Sequence, residues 1–173
     1  MIPLLLLLAQ NVVPNCICDS LRPETMKERS CSLSLEAERQ PPDVQIFFVK
    51  DINPRKPNRT LAMLTKHGPS RYSLDDLTPQ ERTELWTAAI AKAREIWGDD
   101  WAVAYNGDKV RTQCHPHIHI GKLNSAAKLE EFLLAKSPAE IPPPRGAGIW
   151  IYGDGKKLRV HTGEQITETA LVR

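Results

Sequence analysis

Three of the chain's five histidines stand in one short stretch, Gln113-Cys114-His115-Pro116-His117-Ile118-His119-Ile120, at strict i, i+2, i+4 spacing. Successive side chains of a β-strand point to opposite faces. On a strand, therefore, His115, His117 and His119 line one face while Ile118 and Ile120 enter the core behind them. On a helix the same three would spread across roughly 200° of surface, so the spacing predicts a strand. Such a row can be a solvated or hydrogen-bonded set of surface histidines, which accounts for one histidine more readily than for three in alternation. It can hold a metal, since neutral imidazole is a common zinc ligand, although the sequence offers no obvious third ligand. It can also do phosphoryl chemistry. One imidazole attacks phosphorus to form a labile phosphoramidate while its neighbours donate to the phosphate oxygens, so one difficult displacement becomes two easier ones.

The row and its surroundings resemble the histidine triad (HIT) family of nucleotide hydrolases and transferases. His115-x-His117-x-His119-Ile120 is similar to the family's alternating histidine signature. Upstream, Phe47-Phe48-Val49-Lys50-Asp51-Ile52-Asn53-Pro54-Arg55-Lys56-Pro57 is similar to its first sheet strand and Asp-Ile-x-Pro-x-x-Pro turn. Residues 60–67 resemble the next strand, ending in the family's Pro-Lys-x-His type of segment at His67. The resemblance covers residues 31–123, and the ordered combination is more specific than the three histidines alone.

The resemblance implies a role for each position. His117 would be the nucleophile toward the α-phosphate of a nucleotide, flanked by His115 and His119, with His67 as a fourth histidine. Asp51 would accept hydrogen bonds from ribose hydroxyls, with Val49 and Ile52 as apolar walls for the base; a turn-capping aspartate is the rival account of Asp51. Thr112 would serve the leaving group through its hydroxyl, and Asn106 would contact phosphate. Arg111 is placed to clamp a phosphate or an acidic leaving group. The implied activity is hydrolysis or transfer of a nucleoside monophosphate through a nucleotidyl-His117 intermediate. Phosphate esters, phosphoramidates and dinucleoside polyphosphates are the implied substrates, with no cofactor or metal required and a homodimer as the suggested assembly. The competing classes are a nucleotide-binding protein without turnover and a metal-binding protein using the histidine row. Two departures leave hydrolase and transferase open. Pro116 stands where the family has a hydrophobic residue, and His-Pro-His resembles the related hexose-1-phosphate uridylyltransferase branch. Val110-Arg111 replaces the glycine that the family carries before the leaving-group segment.

The elements that must position these residues read as α+β. Residues 44–49 and 60–64 are β-branched and apolar, and Pro54 and Pro57 mark the turn between them. Thr78-Pro79-Gln80-Glu81 is a helix start, with a threonine N-cap, proline at the first position and glutamate three residues on. Trp86, Ala89, Ile90, Ala93 and Trp97 then share one helical face, and Gly98 ends the helix. Residues 101–105 form a third strand, followed by a loop at Asn106-Gly107-Asp108 and the histidine strand. This order gives a HIT-like antiparallel sheet with a packed helix as a catalytic domain over residues 31–124. A C-terminal extension, residues 125–173, is expected to hold a short helix over 126–134 with Leu129, Phe132 and Leu133 inward. A β-hairpin should follow, made of residues 148–152 and 157–161 around Gly153-Asp154-Gly155. The hairpin should pack back on the domain, because an isolated one is only marginally stable. His161 is expected on the surface, with an approach to the site as the alternative.

A chain of 173 residues suits one domain with an appendage, and 41% hydrophobic residues suffice for an ordinary soluble core. A formal charge of +2 without any basic block gives no argument for a nucleic-acid partner, and none is expected. Residues 2–9 form an apolar run too short for the about 20 residues a transmembrane helix needs. The run fits the apolar region of a secretory signal cut after Ala9, although no Lys or Arg precedes it. The expectation is an exported protein, periplasmic or secreted, with a cytoplasmic one as the alternative and residues 10–30 as a linker. In an oxidising compartment Cys16 or Cys18 can pair with Cys31, a Cys16–Cys18 bridge being geometrically poor. Some HIT proteins hold a structural zinc with Cys-x-x-Cys and two histidines. The corresponding positions here read Cys31-Ser32-Leu33-Ser34, and serine is a poor ligand, so no zinc is expected there.

Overall fold

In the computed structural model, which describes residues 16–66, 71–127 and 130–173, seven strands form one antiparallel sheet. They are β1 (Ile46–Lys50), β2 (Thr60–Leu64), β3 (Trp101–Tyr105), β4 (Ile118–Lys122), β5 (Leu133–Ala135), β6 (Ile149–Asp154) and β7 (Lys157–Thr162). Their order across the sheet is β1-β2-β4-β3-β6-β7-β5. Two α-helices, α1 (Ser32–Glu38) and α2 (Pro79–Trp97), complete a mixed α+β architecture. The proposed signal run at residues 2–9 and His67 both lie outside the described residues. Among the described residues no helix is long and apolar enough to cross a membrane.

Helix α2 forms where the capping residues predict it. The Thr78 hydroxyl accepts from the Glu81 N–H at 3.2 Å, the Glu81 carboxylate accepts from the Thr78 N–H at 2.9 Å, and Gly98 ends the helix at φ +55°. Its buried face, Leu85, Trp86, Ala89, Ile90 and Ala93, packs on a sheet face carrying Ala62, Val103, Ile118, Ile120, Ile149, Ile151 and Val160. Burying each large apolar side chain stabilises the fold by about 1.5–3 kcal/mol, so this layer is the main core. The opposite face carries Phe47, Leu61 and Met63 under Ala37 of α1, and Ala102, Ala104, Trp150 and Tyr152 beneath Ala170 and Leu171. One cross-strand rank on that face reads Val49, Leu61, His119, Ala104, Trp150, His161, each residue paired in register with the next.

The structure corrects two expectations for the C-terminal extension. Among the described residues of the expected helix over residues 126–134 none is helical, Leu129 lying outside them; Leu133, Leu134 and Ala135 instead pair with Val160, Arg159 and Leu158 at the sheet edge. Glu131 has φ +56°, which no α-helix admits. A locally helix-favouring segment has yielded to tertiary pairing. His161, expected on the surface, is 4% exposed and stacks on Trp150 with ring centroids 3.7 Å apart. The hairpin forms as expected, through a two-residue turn, Gly155-Lys156, whose glycine has φ +58° as mirror-image hairpin turns require. Its strand β6 pairs with β3, so the extension continues the same sheet.

The N-terminal stretch is fastened to the entry of β4. Cys18 bonds to Cys31 as one of the expected pairings, and Cys16 bonds to Cys114, a partner the spacing did not suggest. The Cys114 N–H donates to the Ser30 carbonyl at 2.8 Å. The Gln113 amide oxygen accepts from the Ser32 hydroxyl and the Leu33 N–H, while its Nε2 donates to the Arg29 carbonyl.

Candidate active site

The regular strand begins at Ile118, and His115, Pro116 and His117 form its lead-in. Pro116 has no N–H to offer a ladder, which suits a strand's edge of entry better than its middle. Alternation holds where the strand is regular: Ile118 and Ile120 enter the α2 core while His119 faces the other side, between Leu61 and Ala104. His117 stands beside it, the two rings meeting edge to face with centroids 4.9 Å apart. His115, His117 and His119 are all buried.

Two hydrogen bonds fix tautomers. His117 Nδ1 lies 2.9 Å from the His115 carbonyl oxygen. A carbonyl only accepts, so Nδ1 carries the hydrogen and the lone pair is on Nε2. His115 Nε2 lies 2.8 Å from the Leu64 carbonyl oxygen and by the same reasoning donates to it, tying the lead-in to the end of β2. Burial pushes the pKa of His117 down to about 4. The bond to the His115 carbonyl opposes that shift, the charge of Arg111 adds to it, and the charges of Asp51 and Glu168 oppose it. His119 is held well below its ordinary value, first by burial and then by His117, Lys56 and Arg59. Both imidazoles are therefore neutral at pH 7. The His119 Nε2 lies 3.6 Å from a Glu168 carboxylate oxygen. With His119 neutral and the separation beyond hydrogen-bond range, this is a packing contact and not an ion pair.

Glu168 belongs to a cluster that the sequence did not reveal. Its carboxylate is ion-paired with Lys56 and lies 3.5 Å from Arg59 Nη1. Arg59 is almost wholly buried; its Nε donates to the Val172 carbonyl, and its Nη2 to the Glu168 and Leu171 carbonyls. Its Nη1 has no hydrogen-bond partner, and burial lowers its pKa. Arg55, Lys56, Arg59 and Arg173, with Glu168 as the one acid among the described residues, line a cleft of about 530 Å3 together with Asn53 and Asn124. This is a strongly basic cleft whose acid reaches the histidine row.

The other expected site residues fall at varied distances from that geometry. Asp51 is half-buried, and its Oδ1 accepts from the Asn53 N–H at 2.9 Å, the turn-capping arrangement; its charge still acts on His117. Ile52 is 92% exposed, and Val49 is half-buried against the layer under α1. Asn106 is buried, and its Oδ1 accepts from the N–H groups of Thr167 and Glu168 at 3.0 and 3.1 Å, so it positions the segment that carries Glu168. Arg111 is buried over the Tyr105 ring; it donates to the Tyr72 carbonyl and to Asp108, leaving its Nε without a partner. Tyr105 in turn is held protonated, its pKa pushed up to about 12 by burial. Thr112 is exposed. No local signal pointed to Lys56, Arg59 or Glu168. Their grouping depends on a contact between the β1–β2 turn and the segment after β7.

The chain matches no protein-family model and no curated protein.

Proposed function

We propose that this protein cleaves or transfers nucleoside monophosphoryl groups through a nucleotidyl-His117 intermediate, on a HIT-like sheet-and-helix core. The observation that carries the reading is the tautomer of His117: a buried, neutral imidazole with Nδ1–H held by the His115 carbonyl and its lone pair on Nε2. That is the protonation state a nitrogen nucleophile needs. Attack by Nε2 on the α-phosphorus forms a P–N bond, and the leaving group departs with the electron pair of its bond to phosphorus and collects a proton. The imidazole then carries positive charge, which the His115 carbonyl stabilises through the Nδ1–H already in place. Attack by water on phosphorus returns Nε2 to its starting state; a second acceptor in place of water makes the reaction a transfer.

The surroundings suit an anionic substrate. Lys56 and Arg59 Nη1 face the Glu168 carboxylate, Nη1 without a hydrogen bond to it, and a phosphoryl oxygen in place of that carboxylate would keep Lys56 paired and give Nη1 an acceptor. Arg111 Nε is a second buried donor near His117. The two disulfides and the apolar run at residues 2–9 favour an exported protein, since disulfides persist in oxidising compartments. Turnover of a panel of nucleoside phosphoramidates and dinucleoside polyphosphates tests the reading. Release of nucleoside monophosphate from at least one class is expected. A protein that binds these compounds and releases nothing is a nucleotide-binding protein without turnover.

A further inference from the structure

All four cysteines of the chain meet at one place. Cys18, Cys31 and Cys114 are 0–1% exposed, and their sulfurs lie within 4.8 Å of one another. Cys16, partly buried beside them, is held to this group through its bond to Cys114. These four come from three separate pieces of chain: the N-terminal stretch, the start of α1 and the lead-in to β4. Convergence of sulfurs from separate pieces of chain is what a tetrahedral thiolate centre requires. Zn–S bonds of about 2.3 Å place the edges of a sulfur tetrahedron at about 3.8 Å, within the spacing of Cys18, Cys31 and Cys114, and reduction frees the Cys16 sulfur to turn toward them. Met26, Leu35 and Tyr72 pack around the sulfurs and shield them from water.

We propose that in the reduced protein Cys16, Cys18, Cys31 and Cys114 bind one Zn2+ as a four-thiolate site. Two equivalents of a dithiol reductant deliver four electrons and four protons to the two disulfides, giving four thiols and two oxidised cyclic disulfides. Zinc then takes the four sulfurs as thiolates, and their protons go to the buffer. The site does not use the Cys31–Ser34 spacing; it is assembled by tertiary contact. Either linkage keeps residues 16–33 docked on Gln113 and Cys114, so the lead-in carrying His115 is fastened in both redox states. The inference is independent of the proposed reaction at His117.

Full-length protein is reduced with dithiothreitol, desalted without oxygen and titrated with Co2+ and then Zn2+. The reduced protein should take up one Co2+ per chain, with a sulfur-to-cobalt charge-transfer band and the visible bands of a tetrahedral site. One equivalent of Zn2+ should remove them, and unreduced protein should show neither. Cys18→Ser and Cys31→Ser should weaken uptake more than about tenfold, while Ser34→Ala leaves it unchanged. Because a cysteine variant can fail to fold, the wild-type melting temperature serves as a second readout. Zn2+ should raise it in the reduced protein and leave it unmoved in the oxidised one. Reduced protein that takes up no cobalt, takes it up equally after Cys18→Ser, or melts at the same temperature with and without Zn2+ overturns the proposal.

Discussion

The Nδ1–H of His117 donates to the carbonyl of His115, two residues earlier in the chain, across 2.9 Å. The chain's own backbone therefore selects the tautomer, and it does so through the peptide that also carries Pro116. Folding and protonation are linked at this residue. The folded pKa of His117, about 4, lies below the ordinary 6.5, so between these values the unfolded chain binds a proton that the folded chain does not.

The stability of the protein should therefore be full above about pH 6.5 and fall as the pH drops toward about 4, with His119 acting in the same direction. The His117 contribution is on the order of 3 kcal/mol across that window. Denaturant midpoints measured from pH 7.5 to 4 check this. His117→Gln, which cannot take up the proton, should show a shallower loss than wild type. An equal slope in both proteins would mean that His117 is not buried neutral.

Lys56 and Glu168 should act in opposite directions on nucleotide binding. Glu168 occupies the position against Lys56 and Arg59 that an anionic group would take. Glu168→Gln should tighten binding of an anionic nucleotide about tenfold, and Lys56→Ala should weaken it by about 10–100-fold, the worth of one hydrogen bond to a charged group. Calorimetric titration reads both. The Glu168→Gln chain should also be less stable, since the buried Arg59 loses its counter-charge.

Gly148 offers a test of how the Glu168 segment is held. A Cβ at this position would lie 2.5 Å from Thr167 Cγ2, 2.8 Å from the Tyr105 carbonyl oxygen and 2.9 Å from the Glu164 carbonyl oxygen. Gly148→Ala should destabilise the fold by about 1–3 kcal/mol through overpacking, and displace Thr167 and Glu168 from Asn106. Chemical denaturation gives the first effect, and a change in nucleotide affinity gives the second.

What the sequence made legible was local. Helix α2 could be read because Thr78, Pro79 and Glu81 announce its start and Trp86, Ala89, Ile90 and Ala93 repeat at its period. The alternation of Ile118, His119 and Ile120 across the sheet was readable for the same reason, as was the glycine-centred hairpin. The residues that complete the site depend on distant contacts. Arg59 bonds to a carbonyl 109 residues away, and Cys16 to a cysteine 98 residues away, separations at which no spacing rule operates. The pairing of Leu133, Leu134 and Ala135 with β7 was not legible because the helix-forming residues around them give no local sign of it. His161 was misplaced because its burial comes from Trp150 on the neighbouring strand.

Rapid quenching of the protein with a nucleotide labelled at the α-phosphate addresses the central claim most directly. Label should appear on the chain within the first turnover as an acid-labile phosphoramidate, at His117. The His117→Ala chain should bind the nucleotide, retain no label and lose nearly all turnover. The His115→Ala and His119→Ala chains should keep more activity, losing about 10²–10³ in rate as positioning or donor groups. A His117→Ala protein that turns over normally, or wild-type label recovered on another residue, would contradict the account.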